Sequence, residues 1–394
     1  MFAFFAAGAL ALGPTPSPSP SASPVPEIAH VVTSDRGSES AARAARTTYV
    51  VTAADIARDG DRTIADAVAN VPGVQLQRYG AFGASATTGI RGSSAQQVLV
   101  LLDGLPIAGA QTENVNLEQM PVDGVRRVEI VEGGGSTLYG SGSIGGLINI
   151  ITTGQASTSA TLSTGSFDSQ TYSLQTPYVT FQRSYATNAF ALPDGSTRKN
   201  AQAGLTAGTL SYSHAIGVLD FDFFGEVSDV TLGAPGAEPY ISNTSEQGTI
   251  ARDLRARVER RTPRSTLSLA VGDSDQDETY TCNAPAEPYA CPNAIPTPYP
   301  SGTPPPYAQY VSDWRENLSL NDAVGDDRTR VVYGLDLSAG DARVAGGTGS
   351  ACIDIYTCAK GSPQQLHRDN VTLDAYSQNA LYVQSQWFAR RARR

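Results

Sequence analysis

The densest apolar patterning lies in residues 87–153. Val98 to Leu102 is apolar throughout, Arg127 to Glu132 alternates Val128 and Ile130 with Arg127 and Glu129, and Leu147 to Ile151 is apolar at nearly every position. These short, β-branched runs sit between glycine turns and lack helical periodicity, so they predict three strands of a small sheet. Asp103-Gly104 closes the first run, and both residues tolerate the positive φ of a tight turn. Upstream, Thr52-Ala-Ala-Asp55 and Thr63-x-x-Asp66 read as capping boxes. The second heads Ile64, Ala67, Val68 and Val71 on one helical face before Pro72-Gly73 stops it. Residues 75–88 and 109–117 carry too many small and polar residues for continuous strand, and predict long loops.

After residue 155 the pattern changes to short alternating segments at 160–166, 204–213, 219–227, 254–259, 265–271, 318–321, 330–337 and 380–387. In the third of these, Leu219, Phe221 and Phe223 alternate with Asp220 and Asp222. A strand with lipid outside and a lumen inside gives this pattern, and so does a water-soluble sandwich. Charged residues are only 17% of the chain, which has 38 Gly, 24 Pro and 17 Tyr, as suits a turn-rich β protein. The net charge of −10 argues against a nucleic-acid partner.

Two chemistries are excluded by context. Gly140, Gly142 and Gly145 spell G-x-G-x-x-G, but a dinucleotide site needs a helix after the glycines, and here they run into Leu147-Ile148-Asn149-Ile150-Ile151. Paired carboxylates would permit acid–base catalysis, yet there is no H-E-x-x-H, C-x-x-C or G-x-S-x-G, and His30, His214 and His367 are far apart. The chain is not expected to be an enzyme.

The series IRG at 90–92, VLVLLDGLPI at 98–107 and RRVEIVEGGGSTLYGSGSIGGLINIIT at 126–152 resembles, in order and spacing, the plug domain of TonB-dependent outer-membrane receptors. Among them the cobalamin receptors are the most similar. The resemblance implies an α+β plug domain over residues 48–154, followed at 155–394 by the first part of an antiparallel transmembrane β-barrel, truncated relative to the family's twenty-two strands. It implies an outer-membrane location and active uptake of a scarce solute. A corrinoid is favoured, and a ferric chelate of the siderophore kind is the alternative. The implied partners are the TonB complex of the inner membrane, the outer-membrane lipid and the solute itself. A secreted binding or adhesion protein, or a non-functional fragment, also fits the bare pattern.

Residues 1–13 read as a signal-peptide-like apolar run, and the Pro/Ser-rich residues 14–47 as a linker. Within that linker Glu27, Ile28, Ala29, His30, Val31, Val32 and Thr33 form an isolated strand-like heptamer. By resemblance this is the TonB box, which would couple by strand addition. In cobalamin-type receptors the plug loops rise to meet the substrate, so the resemblance makes Arg78, Tyr79, Phe82, Gln111 and Asn114 the expected contacts. Arg91, Arg127, Glu129 and Glu132 lose water if the plug fills a lumen, and ion pairing would limit the cost.

Four cysteines lie in two loop-like stretches, and local pairing, Cys282 with Cys291 and Cys352 with Cys358, is the simplest of three connectivities. It suits an oxidising exterior. Asp273, Asp275 and Asp277 start like a calcium loop, but Glu278 and Ala284 exclude an EF-hand, leaving a calcium site assembled between loops as the one cofactor to test against a solvated acidic stretch. The residues after 154 supply about a dozen strands at roughly 20 residues each, and an open half barrel would expose two edges to lipid. A fragment or frameshifted product is the expectation.

Overall fold

A computed structural model describes residues 30–31, 39–40, 46–80, 82–107, 115–152, 158–235, 243–282, 307–326, 329–348 and 372–387. At the N-terminal side, β1 (His30–Val31) and β2 (Glu39–Ser40) pair antiparallel through two residues each. The first domain then runs β3 (Thr48–Thr52), α1 (Ala53–Asp59), α2 (Ile64–Val68), β4 (Val74–Arg78), β5 (Ala86–Ile90), β6 (Val98–Leu102), β7 (Leu105–Pro106), β8 (Arg127–Glu132), α3 (Ser136–Tyr139) and β9 (Gly146–Ile151). Its main sheet has the order β3-β8-β9-β6-β7, with β6 and β9 parallel and the other pairs antiparallel.

The sheet forms where the apolar runs predict it. All six residues of β9 are buried, which explains why that run shows no polar alternation. Asp103 and Gly104 make the turn between β6 and β7 with φ of 49° and 85°, the left-handed conformation that Asp tolerates and Gly favours. Thr52 caps α1 by accepting from the Asp55 N–H at 3.2 Å, while the Asp55 carboxylate accepts from the Thr52 N–H at 3.0 Å. Thr63 caps α2 through the Asp66 N–H. Ile64, Val68, Ile130, Ile148 and Ile150 close the core, and Phe224 from the second domain joins them. After Gly145 the chain enters β9 at Gly146, as the apolar run predicts, and not the helix that a dinucleotide site would need. One expectation fails: residues 75–88 are no single loop, because β4 and β5 pair there from Val74–Ile90 to Arg78–Ala86.

The second domain is an antiparallel meander of ten strands: β10 (Ser159–Gly165), β11 (Ser169–Gln175), β12 (Val179–Ala186), β13 (Ala203–Ile216), β14 (Leu219–Gly233), β15 (Glu246–Arg261), β16 (Ser265–Cys282), β17 (Tyr307–Gly325), β18 (Thr329–Thr348) and β19 (Thr372–Trp387). Each strand pairs with the next in sequence, and among the described residues β10 and β19 have one neighbour each. Every segment of the alternating pattern falls on a strand, Ser166 alone lying one residue past β10; from β13 on the strands are longer than the pattern indicated, and β11 and β12 went unpredicted. On the even positions of β12, Thr180, Gln182, Ser184 and Ala186 are buried, while Val179, Phe181, Arg183 and Tyr185 point outward. The sheet is therefore inverted relative to a soluble one. Small and polar side chains line the concave face against the first domain, and Leu162, Leu174, Leu210, Leu254, Leu269, Leu320 and Leu381 are exposed on the convex face. Among the described residues no helix is long and apolar enough to cross a membrane.

Candidate solute-facing and plug-anchoring site

The β4–β5 ribbon carries the first expected contacts. Arg78 ends β4, and its guanidinium bridges Asp66 at 2.5 Å and Glu118 at 3.0 Å. Glu118 is almost wholly enclosed; burial pushes its carboxyl up and Arg78 pulls it back down. Nearby Asp61 is pushed up to about 6 by burial, with the carboxylates of Asp66 and Asp59 adding to the shift. The Arg78 side chain is thus occupied in fastening the ribbon to α2 and to the segment around residue 118. Tyr79 remains 61% exposed, its hydroxyl 3.4 Å from Thr87 Oγ1.

Phe82 has a different setting. It is buried among Ala186, Ala203, Leu205, Ala207, Val230 and Leu232 of the wall, with the Arg62 guanidinium 4.2 Å from its ring centroid. Asn188 Nδ2 donates to the Phe82 carbonyl at 3.1 Å. Its ring packs the first domain against β12–β14, which leaves Tyr79 as the open aromatic of the ribbon. Gln111 and Asn114 lie outside the described residues.

The charged set forms two pairs. Arg91 Nη2 meets Glu132 Oε2 at 2.6 Å, and Arg127 meets Glu129 at 2.8 Å, with Glu129 fully buried. The Glu132 N–H also donates to the Thr47 carbonyl at 2.9 Å, just ahead of β3. Gly73 suits this crossing, since its φ of 78° strains an L side chain and a Cβ there would force Glu132 Oε1, 1.9 Å away, to move.

The strongest anchoring group was not legible in the sequence. From the wall, Arg257 Nη2 donates to the Asp103 carbonyl at 2.5 Å, Asn317 Nδ2 to the Pro106 carbonyl at 3.0 Å, and Arg315 Nη1 to the Ile107 carbonyl at 3.3 Å. Arg255 reaches the Pro106 carbonyl at 3.5 Å and pairs with Asp253 at 2.9 Å. Four side chains of two strands therefore hold three carbonyls of one plug hairpin, those of Asp103, Pro106 and Ile107. The Asp103 carboxylate accepts from the Thr152 N–H at 2.9 Å and from the Thr152 hydroxyl. A backbone carbonyl acceptor leaves no mark in sequence, so only the alternating arginines of β15 could have hinted at this contact.

The remaining expected site residues are placed as follows. Cys282 is disulfide-bonded, and Cys291, Cys352 and Cys358 lie outside the described residues. Asp273, Asp275 and Asp277 fall inside β16, facing outward, where Arg252 pairs with Asp275 and, at 3.1 Å, with Asp277, and Trp314 Nε1 donates to Asp273 at 3.0 Å. No three His, Cys, Asp or Glu residues converge to hold a metal among the described residues. Of the heptamer, only His30 and Val31 are described, paired to Ser40 and Glu39.

The geometry agrees with what known proteins show. Residues 40–147 match the TonB-dependent Receptor Plug Domain. The chain is 36% identical over 152 residues to the vitamin B12 transporter BtuB of Vibrio cholerae, covering 38% of this chain and 25% of that protein. It is also 36% identical over 127 residues to BtuB of Vibrio vulnificus, covering 32% and 21%. Among solved structures, the copper transporter OprC superposes with a TM-score of 0.63 at 16% identity, covering 87% of this chain and 53% of that one. The siderophore receptor PiuA of Acinetobacter baumannii gives 0.58 at 14% identity, covering 86% and 55%. The match thus spans a quarter of the curated relatives' length and about half of the solved structures. Residues 40–147 thus match the plug domain of TonB-dependent receptors, the ten strands after them share the fold of solved transporter and receptor structures, and the chain resembles vitamin B12 transporters over 152 residues.

Proposed function

We propose that this chain belongs to a receptor that actively imports a corrinoid of the cobalamin kind across the outer membrane. The observation that carries this reading is the 36% identity over 152 residues to a vitamin B12 transporter. A ferric-siderophore receptor is the second reading, supported by the fold likeness to a siderophore receptor. Tyr79 is the described residue best exposed to meet a solute, with Gln111 and Asn114 as the further proposed contacts. Glu27 to Thr33 would add a strand to the TonB complex, and calcium at the outer loops is the proposed accessory ion.

Equilibrium binding of cobalamin and of ferric chelates to the receptor carrying this chain, with and without calcium, ranks the two readings. Cobalamin is expected to bind and ferric chelates to fail; the reverse result overturns the corrinoid assignment. Coupling is tested by Val31→Pro, which removes a main-chain donor. Uptake is expected to be lost with surface binding intact, and unchanged uptake refutes the strand-addition role.

A further inference from the structure

The convex face of the wall changes character along its strands in register. At one level Ala256, Val271, Leu318 and Leu337 stand side by side on β15 to β18, all apolar. The next outward row is Leu254, Asp273, Glu316 and Ala339, and the one beyond it is Arg252, Asp275, Trp314 and Asp341. Above that come Ile250, Asp277, Ser312 and Arg343. The same break occurs on β12, where outward Phe181 is followed by Arg183, and on β14, where Val227 is followed by Asp229.

The side chains on the charged side bond to one another across strands. Arg252 pairs with Asp275 and Asp277, the Tyr310 hydroxyl donates to Asp277, and Trp314 Nε1 donates to Asp273. These groups are satisfied laterally, along the sheet face, as charged side chains must be if they stand at the edge of an apolar medium. The short connections 217–218, 262–264 and 326–328 lie at the apolar end of the strands, and the long ones 234–245, 283–306 and 349–371 at the charged end.

Length places the break. Trp314 stands eight steps along β17 from Asp322, the outward carboxylate that Tyr333 holds at the other end of the apolar rows. At about 3.3 Å per residue and a tilt of roughly 35–45°, that is a height of about 19–22 Å, against an apolar band of about 25 Å for outer-membrane barrels. An indole whose N–H is held by a carboxylate is the amphipathic group that such a boundary favours.

We propose that the row Arg252, Asp275, Trp314 and Asp341 is the contact surface for the lipid headgroup layer, and that the wall beyond it stands clear of the membrane. The occupant of the convex face is thus lipid up to the Asp273 and Glu316 row. From Gln276 to Cys282 and from Tyr307 to Asp313, β16 and β17 would form the wall of a vestibule in water. The proposal rests on outer-membrane placement and not on which solute is carried.

Two measurements test it. With Trp387→Phe leaving Trp314 as the lone indole, bromines placed shallow in the acyl chains of phosphatidylcholine vesicles are expected to quench its fluorescence at least twofold more than bromines placed deep. Deep bromines quenching as strongly as shallow ones would overturn the boundary. In cells, Leu269→Arg and Leu320→Arg are expected to lower the yield of membrane-assembled protein tenfold or more, whereas Ser312→Arg and Thr279→Arg stay within twofold, because the cost of charge on a lipid face depends on depth. Equal losses from all four would overturn it without touching the solute assignment, and recovery of the unaltered protein outside membranes would instead sink the placement beneath it.

Discussion

The plug and the wall are built from the same kinds of residue turned in opposite directions. In the plug, Ile130, Ile148 and Ile150 stand side by side on one face of a sheet buried on both sides. In the wall, Leu269, Leu320 and Leu381 face away from the molecule, and Thr180, Gln182 and Ser184 face inward. What a leucine does in each region is set by its surroundings, a protein core in one and, on the placement proposed above, lipid in the other. The two regions meet largely through small, polar or guanidinium-bearing side chains, with apolar contacts where Phe82 meets Leu205, Val230 and Leu232, where Phe224 joins the plug core, and where Leu138 meets Val332 and Tyr382.

The sharpest way to break the comparison is to truncate one residue of each kind. Ile148→Ala should destabilise the plug by about 2–5 kcal/mol, since it opens a cavity in a core with no solvent access. Leu320→Ala, on the outward face, should cost about 1 kcal/mol or less, because lipid fills the space it leaves. Urea titration followed by protease resistance of the plug separates the two; comparable losses would mean that the convex face packs against protein.

A smaller effect is expected at the interface between the regions. Arg257→Ala removes a charged donor from the Asp103 carbonyl and should cost about 1.5–3 kcal/mol. The loss should show as faster amide exchange in β6 and β7, with α1 unaffected. Uniform acceleration throughout the plug would instead show that the wall contact is not local.

The smallest effect concerns pH. Asp61 has its carboxyl raised from 3.8 to about 6 in the folded plug, so the native state holds the proton more tightly than the unfolded chain. Stability from this group is greatest below pH 4 and is lost as pH rises through about 6, with partial solvent exposure keeping the effect modest. Asp61→Asn should flatten the stability profile between those values, as read by urea midpoints, and an unchanged slope would place the titration elsewhere.

How much of this was legible follows from the same contrast. The plug strands at Val98–Leu102 and Gly146–Ile151 could be read because burial on both faces removes polar residues and leaves unbroken apolar runs. The capping boxes at Thr52 and Thr63 could be read because their bonds are local. β4 and β5 could not, since Gln75, Gln77 and Thr87 belong to a two-stranded ribbon with one half-exposed face. β16 was cut short at Val271 because Asp273, Asp275 and Asp277 look like a solvated stretch, although their alternation continues that of the strand. Phe82 looked like a loop aromatic because the pocket that receives it comes from residues more than a hundred positions away.

Asp103 gives the hairpin contact one more property. Its carboxylate binds Thr152, the end of the plug from which the chain passes on toward β10, and its carbonyl is bound by Arg257 of the wall. Arg257, however, stands on β15, five strands along the sheet from β10, so no short run of chain holds the guanidinium beside the carbonyl. Displacing the hairpin therefore separates Arg257 from Asp103 outright, while Asp103 and Thr152 move together as one corner of the plug.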